Sequence, residues 1–426
     1  TGVNLAYGDS WMIGYSSDSW FDADYILLSG CNPNVTRIPD AHFIWEAKYN
    51  GCRVVNMAPD YNPSAIHADL WLPVRQGTDP FLMMSLVHVI LSEELVAWDF
   101  VREQTDLTLL VREDNAKLLR ESDVVSGGRE NVFYMWDRNA GRAVAAPGSM
   151  GSESKTIALG DVVPALEGRY EVAGVSVRPA FERMREEVLK FSPEVTAEIT
   201  GIHPDVIRQE ARLIAAANMV VVLGGLSIIK YANGLFTLWS QALLLSLTGH
   251  VGPRGGIEHI GVGWKRHAPE KLAIPFPKLP RMETGGLGEW LLGEQWREAK
   301  PYYDAAKLKE NVGYDIDDLQ GMIDEALTKG WMPHWGKPKG MIVWGDNFLV
   351  RNKAARHYRE RVLADTSELY VNVNTRMDSS ALWADYVLPA ASHYEGWELR
   401  SWGYHRFVNT FTAPAAPLGE SMPDWD

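Results

Sequence analysis

Two short stretches of the sequence carry residue types that could bind a nucleotide. Each ends an apolar run with a glycine and places an asparagine two positions later: Gly30-Cys31-Asn32 and Gly345-Asp346-Asn347. A glycine at a strand end lets the backbone approach a ligand closely, and the amide groups that follow can bind phosphate. The asparagine side chain offers both a donor and an acceptor. The pattern predicts two nucleotide-type sites, with the alternative that Asn32 and Asn347 only shape turns.

Charged residues follow both stretches at positions where they could meet the rest of a nucleotide. Asp60 is placed to accept ribose hydroxyl groups, whereas its counterpart in the second stretch, Arg376, would hold phosphate. Asp79 could pair with two N–H groups of a guanine edge. Asp69 and Asp385 share an alanine–aspartate–hydrophobic pattern, and for them a capping role competes with a ligand role.

The two stretches belong to an internal repeat. Val55–Val74 aligns with Val371–Ala390 at an offset of 316 without a gap, and eight of the twenty positions are identical. Chance matching at ordinary composition would give roughly one identity. The chain therefore uses one structural unit twice, and both copies are expected to bind similar ligands.

The elements that would position these residues follow the order strand, helix, strand in both copies. This order is that of the βαβ unit, whose loops at the carboxyl ends of the strands bind ligands. The predicted elements of the first copy are a strand at Asp24–Gly30, a helix at Ile38–Asn50 and a strand at Arg53–Met57. Those of the second are a strand at Gly340–Gly345, a helix at Lys353–Leu363 and a strand at Leu369–Val373.

Further elements are predicted between the two copies. A turn and a helix are predicted over Gln76–Leu91, with Gly77-Thr78-Asp79 at the turn, and two further helices at Pro179–Phe191 and Pro204–Ala217. A strand at Met219–Gly225 and a helix at Asn233–Leu247 precede a glycine-rich loop at Val251–Gly263. Neither a GxGxxG nor a Walker A motif is present.

The predicted fold class is α/β, with two Rossmann-like doubly wound domains related by the internal repeat. The first domain covers residues 1–217 with an irregular insertion at about 122–175. The second covers 218–426, with the glycine-rich loop and an irregular insertion at about 264–335.

The net charge, the cysteine content and the lengths of the apolar runs disfavour some kinds of partner and site. The formal net charge is −14, from 41 basic and 55 acidic residues, which disfavours nucleic acid and anionic membranes as partners. The two cysteines, Cys31 and Cys52, form neither a disulfide framework nor a metal motif and are expected to be buried. No apolar run reaches eighteen residues, so no membrane span is expected.

Three longer stretches resemble a known family. SDSWFDADYILLSGCNPNVTRIPDAHFIWEAKYNG, APDYNPSAIHADLWLPVRQGTD and NTRMDSSALWADYVLPAASHYE are similar to the catalytic (alpha) subunit of the dimethyl sulfoxide reductase family of molybdopterin oxidoreductases. The resemblance is to the respiratory branch, which holds nitrate, chlorate, perchlorate and selenate reductases, nitrite oxidoreductase, dimethyl sulfide dehydrogenase and ethylbenzene-type hydroxylases. The chain resembles a fragment of such a subunit.

The resemblance offers a reason for the internal repeat, because the family's cofactor has two similar halves. It implies a bis(molybdopterin guanine dinucleotide) molybdenum cofactor, with one guanine nucleotide tail bound by each α/β domain. It assigns one tail to Asn32, Asp60, Gly77, Thr78 and Asp79. It assigns the other tail to Asn347, Thr375, Arg376 and Asp378. It places Gly252, Gly255 and Gly256 in a loop beside a pterin, and Gly225 at the strand end that leads towards the metal.

The metal itself is expected to depend on residues outside this chain. By resemblance, the aspartate that binds molybdenum lies just before Thr1, and Asp9 fits a following loop position better than the ligand position. A [4Fe-4S] cluster is expected in an N-terminal segment. Lys230 falls where relatives place a polar active-site residue, and its ammonium group could hold an oxyanion. The alternative for Lys230 is a surface lysine at the start of a loop.

The implied function is oxygen-atom transfer, with reduction of an oxyanion such as perchlorate, chlorate or nitrate preferred. The oxidative direction, nitrite oxidation or hydrocarbon hydroxylation, is an alternative, and a non-catalytic nucleotide-binding or assembly protein is another. The expected partners are an iron–sulfur electron-transfer beta subunit and, as a further option, a haem subunit. The periplasm is the expected compartment, with the cytoplasm as the alternative.

Overall fold

The computed structural model describes residues 17–149, 157–229, 233–252, 255–259, 339–351, 356, 358–364, 367–396, 398–400 and 409–423. The chain divides into two compact units. The first includes the described residues from 17 to 259, and the second includes those from 339 to 423. The predicted metal-proximal residues Asp9 and Lys230 lie outside the described residues.

The described strands are numbered here in chain order. They are β1 (Tyr25–Ser29), β2 (Arg53–Met57), β3 (Leu70–Leu72), β4 (Leu110–Arg112), β5 (Tyr134–Asp137), β6 (Arg142–Ala145), β7 (Tyr170–Val172), β8 (Val175–Pro179), β9 (Val220–Gly224), β10 (Gly255–His259), β11 (Gly340–Trp344), β12 (Leu369–Asn374), β13 (Tyr386–Pro389), β14 (Glu398–Arg400) and β15 (Asn409–Phe411).

The described α-helices are numbered in the same way. They are α1 (Pro33–Thr36), α2 (Ile38–Tyr49), α3 (Asp79–Ser92), α4 (Trp98–Gln104), α5 (Glu121–Val124), α6 (Ala180–Val188), α7 (Pro193–Thr200), α8 (Pro204–Ala216), α9 (Gly234–Thr248) and α10 (Phe348–Arg351). Short 3₁₀ turns lie at Ser17–Asp22, Asp106–Thr108, Leu226–Ile229 and Ala381–Trp383, and a π-helical segment at Tyr358–Leu363. No helix in the described part of the chain is both long and apolar enough to cross a membrane.

A five-stranded parallel sheet forms the centre of the first unit, in the order β10-β9-β1-β2-β3. Every residue of β1 and β9 is buried, as expected for parallel strands that are covered on both faces. Alternate residues of β1 point to opposite faces. Tyr25 and Leu27 join a large cluster with α3, α8 and α9, while Ile26 and Leu28 join a smaller one with α2.

Strand β9 decides where the first unit ends. It pairs with β1 in parallel along its whole length, from Tyr25↔Val220 to Ser29↔Gly224. The predicted domain boundary after residue 217 therefore falls inside the first sheet and is wrong as a division of the structure. Sequence periodicity showed an apolar strand but could not show which sheet it would join, because pairing between distant strands is decided by tertiary packing.

The second unit repeats part of this arrangement. Strands β11, β12 and β13 form a three-stranded parallel sheet in that order. Phe348 and Leu349 of α10 pack with Tyr370 of β12 beneath one face. The helix predicted at Lys353–Leu363 is only partly described, as the π-helical segment Tyr358–Leu363. Strands β14 and β15 form a separate antiparallel pair.

The insertion predicted at 122–175 is more regular than expected. It holds the antiparallel pair β5 and β6, and it supplies β7 to a three-stranded antiparallel sheet in the order β4-β8-β7. The insertion predicted at 264–335 lies outside the described residues.

Candidate functional site

A cavity of about 280 Å³ opens at the carboxyl ends of β1, β2 and β9. Strand β1 has β2 on one side and β9 on the other, so the chain reverses its direction of progress across the sheet at this point. Open α/β sheets bind ligands in the crevice that such a reversal leaves. The cavity is lined by Gly30, Cys31, Asn32, Ala58, Pro59, Asp60, Asn62, Val74, Gln76, Asp79, Ser227 and Ile228.

Two glycines allow the ends of β1 and β9 to approach each other beside this cavity. Gly30 has a φ of +59°, and a Cβ built on it would lie 2.2 Å from the Cγ2 of Ile228. A Cβ on Gly225 would lie 1.9 Å from the carbonyl oxygen of Gly30. That oxygen also accepts a hydrogen bond of 2.6 Å from the hydroxyl of Ser227. Gly225 is thus required by backbone packing, whatever ligand the cavity takes.

Asp79 and Asp60 give the cavity two carboxyl groups of different character. Asp79 is 5% exposed and is the first residue of α3, whereas Asp60 is exposed. Burial raises the pKa of Asp79, and hydrogen bonds with the backbone of Asp79 and Gly77 oppose that rise. The helix N-terminus supplies a partial positive charge that favours a carboxylate there. Asp79 therefore lines the cavity with a buried carboxyl group that can accept hydrogen bonds.

Asn32 is held in place by a buried serine. The Oγ of Ser64 donates to the Oδ1 of Asn32 over 2.8 Å and accepts the backbone N–H of Asn34 over 3.1 Å. The side chain of Asn32 thus shapes the turn after β1, as the alternative reading of the sequence had it. It also lines the cavity, so the ligand role stays open as a prediction.

The second unit contains the same pair of residues in the same bonding pattern. The Oγ of Ser380 donates to the Oδ1 of Asn347 over 2.6 Å and accepts the backbone N–H of Leu349 over 3.0 Å. The backbone N–H of Ser380 also donates to the Oδ1 of Asn347, over 3.1 Å. The bonds of the serine hydroxyl are therefore the same in both copies, whereas the backbone N–H of Ser64 donates instead to the Oδ1 of Asn62, over 3.0 Å.

Asp69 and Asp385 are a second matched pair, and their role is structural. An oxygen of Asp69 accepts the backbone N–H of Val54 over 2.8 Å, and one of Asp385 accepts that of Tyr370 over 2.7 Å. Each carboxylate therefore ties the start of a strand to the turn before the next strand. This favours the capping role over the ligand role considered for both residues.

The other predicted residues of the second unit surround the turn after β12. Both oxygens of Asp378 are used within the turn, where they accept the backbone N–H of Ala381 and the Nδ2 of Asn374, each over 2.8 Å. The backbone N–H of Thr375 donates to the Oδ1 of Asn374 over 2.8 Å. Arg376 is exposed beside them.

Three predicted glycines lie away from the cavity. Gly255 and Gly256 are the first residues of β10 and pair with Val220 and Val221, at the amino-terminal edge of the sheet. Gly252 precedes them and lines a different cavity, beside α4. The cavity at Asn32 lies at the carboxyl edge, one strand length or roughly 15 Å away. The structure therefore does not bring the three glycines together with the residues predicted for the first tail.

The predicted residues Gly77 and Thr78 do not line the cavity but form hydrogen bonds in the turn next to it. The hydroxyl of Thr78 donates to the carbonyl of Arg75 over 2.7 Å, and the Nδ2 of Asn233 donates to the carbonyl of Gly77 over 3.2 Å. Lining residues that sequence reasoning missed include Asn62, Gln76 and Ser227. Ser64 and Ser380 were also missed, although their identity across the repeat was a signal that could have found them.

The residues present fit the nucleotide end of a cofactor. The cavity offers carboxylate acceptors at Asp60 and Asp79 and amide groups at Asn32, Asn62 and Gln76. In the matching strands, both polar atoms of Asn56 and the Oδ1 of Asn372 are buried without a hydrogen-bond partner among the described residues. No group of three or more metal-ligating side chains occurs in the described part of the chain. The lining of the cavity is suited to hydrogen bonding with a nucleotide.

Comparison with protein families gives one match across nearly the whole chain. The family model described as molybdopterin oxidoreductase matches residues 4–426. The dimethylsulfide dehydrogenase subunit alpha of Rhodovulum sulfidophilum is 53% identical over 427 residues, which cover 100% of this chain and 47% of that protein. The chlorate reductase subunit alpha of Ideonella dechloratans is 42% identical, covering 96% of this chain and 45% of that protein.

Other similarities agree with these. The perchlorate reductase subunit alpha of Dechloromonas aromatica (strain RCB) is 35% identical, covering 95% of this chain and 46% of that protein. Among solved structures, acetylene hydratase from Pelobacter acetylenicus matches with a TM-score of 0.58 at 20% identity, covering 100% of this chain and 48% of that one. This likeness shows the fold. The chain spans about half the length of the relatives it matches.

Proposed function

The chain belongs to the molybdopterin oxidoreductase family, and we propose that it forms about half of the catalytic subunit of a molybdenum enzyme that transfers oxygen atoms. The observation that carries the proposal is the family match over residues 4–426, together with relatives that are alpha subunits of chlorate and perchlorate reductases. In the preferred reaction an oxyanion such as chlorate takes up two protons and two electrons, loses one oxygen as water and leaves as the shorter anion.

The cofactor we propose is bis(molybdopterin guanine dinucleotide) molybdenum, whose metal exchanges the oxygen atom and the electrons when it is bound. The contribution of this chain is to bind and orient the two nucleotide tails. In the first unit, Asp60 would accept the ribose hydroxyl groups, and Asp79 would accept two N–H groups of the guanine. We also propose that both units follow the Rossmann-like doubly wound plan.

The second tail would be held by the turn after β12 and the first turn after β11. Arg376 is exposed there and would bind phosphate. Asp378 uses both its oxygens within the turn, so its contribution would be to shape the backbone around Asn347 and Thr375. By the family resemblance, we propose that the ammonium group of Lys230 would hold an oxyanion substrate.

A second candidate reaction runs the same chemistry in the oxidative direction. Its support is the relative named dimethylsulfide dehydrogenase, which matches along the whole chain at the highest identity of the relatives described above. In that reaction a dialkyl sulfide gains an oxygen from water and releases two protons and two electrons.

The electrons would pass through an iron–sulfur cluster in a segment outside this chain and through a beta subunit, with a haem subunit as a further partner. We propose a periplasmic location. These proposals rest on the family resemblance and on relatives that are named as subunits.

The test uses the full-length protein with its natural partner subunit and molybdenum. Oxidation of reduced viologen is followed with chlorate, perchlorate, nitrate and selenate supplied separately, and reduction of an oxidised dye is followed with dimethyl sulfide. Turnover of an oxyanion is the expected result. Turnover of the sulfide alone would select the second candidate. A molybdenum-loaded protein that turns over none of these compounds would contradict the proposed reaction.

A further inference from the structure

Two buried serines, one in each unit, make the same hydroxyl contacts although they are 316 residues apart in the sequence. Ser64 and Ser380 are both 0% exposed. Each donates its hydroxyl to an asparagine in the turn after the first strand of its unit, and each accepts a backbone N–H two residues beyond that asparagine. Each hydroxyl therefore uses both its donor and an acceptor position, as is usual for buried hydroxyl groups.

These contacts fix which way the asparagine amide points. The Oδ1 of Asn347 faces two donors, the hydroxyl and the backbone N–H of Ser380. A backbone N–H can only donate, so the atom that faces it must be the oxygen. The Nδ2 is therefore on the side away from the serine. In the first unit the hydroxyl of Ser64 likewise donates to the Oδ1 of Asn32, and the matching position of Asn347 in the repeat supports the same orientation.

Because the amides have this orientation, Asn32 and Asn347 each present an NH₂ group just after the first strand of their unit. No described residue takes a hydrogen bond from the Nδ2 of Asn32 or of Asn347. Asn32 lines the cavity that also holds Asp60 and Asp79. A ligand that places its own donors against these two carboxyl groups must offer an acceptor oxygen to Asn32. Nucleotides carry both kinds of group, with acceptors on phosphate and on the base.

We propose that Ser64 and Ser380 are positioning residues, which lock Asn32 and Asn347 so that each presents its NH₂ group to an acceptor oxygen of one guanine nucleotide. The inference rests on the proposed function, because it takes the ligand of each unit to be a nucleotide tail. It goes beyond that function by naming two residues that touch no ligand and by fixing the polarity of the contact that each asparagine makes.

The test measures nucleotide binding rather than turnover. Full-length protein produced without its molybdenum cofactor is titrated calorimetrically with GMP, and urea unfolding of each variant is followed in parallel. Asn32→Asp keeps the acceptor that Ser64 needs but removes the donor, so we expect affinity at the first site to fall by about ten- to a hundredfold. Ser64→Ala frees the amide to rotate, and a fall of about three- to tenfold is expected.

A double variant separates positioning from a general loss of structure. If Ser64 acts through Asn32, adding Ser64→Ala to Asn32→Asp lowers GMP affinity no further, although it still lowers the urea midpoint. Ser85→Ala is the control, because Ser85 is equally buried but its Oγ has no partner among the described residues. It should leave GMP affinity unchanged. Ser380→Ala and Asn347→Asp are expected to act on the second site in the same way.

The outcomes distinguish the two proposals. If the wild-type protein binds GMP and Ser64→Ala binds it equally well, the positioning role is wrong while the proposed function stands. Additive losses in the double variant would also overturn it. If the wild-type protein binds no GMP while AMP binds, the guanine assignment fails, and the inference fails with it.

Discussion

At the scale of single residues, the buried carboxylate of Asp79 lowers the stability of the ligand-free protein, while the proposed function has it bind the nucleotide. Burial raises its pKa above the ordinary value of 3.8. The folded state therefore binds this proton more tightly than the unfolded chain does. Tighter proton binding stabilises the folded protein fully at pH values below the pKa that Asp79 has in the unfolded chain. This stabilisation is lost as pH rises through the higher pKa that Asp79 has in the folded protein. At neutral pH the buried carboxylate is thus destabilising in the ligand-free protein.

We predict that Asp79→Asn stabilises the ligand-free full-length protein at neutral pH and weakens its binding of GMP. The amide removes the buried charge, but it also replaces one of the two acceptor oxygens with a donor. The measurements are urea unfolding between about pH 3 and pH 8 and a GMP titration. The stability gain should vanish at pH values below the ordinary carboxyl pKa.

Asp106 provides a control outside the cavity. Its side chain is exposed to solvent, and it does not line the cavity that holds Asn32. Asp106→Asn should therefore change the unfolding free energy by no more than about 0.5 kcal/mol and leave the affinity for GMP unchanged. If both variants weaken GMP binding equally, Asp79 has no special place in recognition.

At the scale of elements, the close approach of the chain just after β1 and just after β9 depends on Gly225. A Cβ at this position would lie 1.9 Å from the backbone oxygen of Gly30, and backbone cannot swing aside as a flexible side chain can. We predict that Gly225→Ala lowers the unfolding free energy by about 3 kcal/mol, at the upper end of the usual range for overpacking.

Urea unfolding of the ligand-free full-length protein measures this change. Gly340→Ala is the control, because the nearest atom to its built Cβ is 4.0 Å away and an ordinary contact results. Its effect should stay within about 0.5 kcal/mol. A Gly225→Ala variant as stable as Gly340→Ala would show that the two strand ends separate without cost.

At the scale of the whole molecule, the two units are copies that differ in their charged groups. The hydroxyl of Ser64 bonds to Asn32 as that of Ser380 bonds to Asn347, while Asp60 is replaced by the exposed Arg376. Duplication of the hydrogen-bonding frame predicts two ligands of one kind. The different charges predict that the two are held at different parts of the nucleotide.

We therefore expect the purified full-length protein to release two guanine nucleotides for each molybdenum atom after acid denaturation. Chromatography of the released bases and elemental analysis of the same sample give the ratio. A ratio of one would mean that only a single unit binds a tail, and the structural repeat would then be a remnant without a second ligand.

The amino-acid sequence by itself determined the local elements and the repeat. Strands β1, β2, β11 and β12 and the helices α2, α3, α8 and α9 lie within a few residues of their predicted bounds. The family followed from three stretches of sequence and is confirmed by the family match. These features were readable because apolar periodicity and glycine or proline at element ends act over short distances along the chain.

The tertiary structure alone decided which strands pair and which side chains meet. It put β9 beside β1, which moved the domain boundary and created the cavity, and it put Gly255 and Gly256 at the far edge of the sheet. It also joined Ser64 to Asn32. Contacts of this kind join residues far apart in sequence, and they depend on how whole faces of helices and sheets are buried together, which no local pattern encodes.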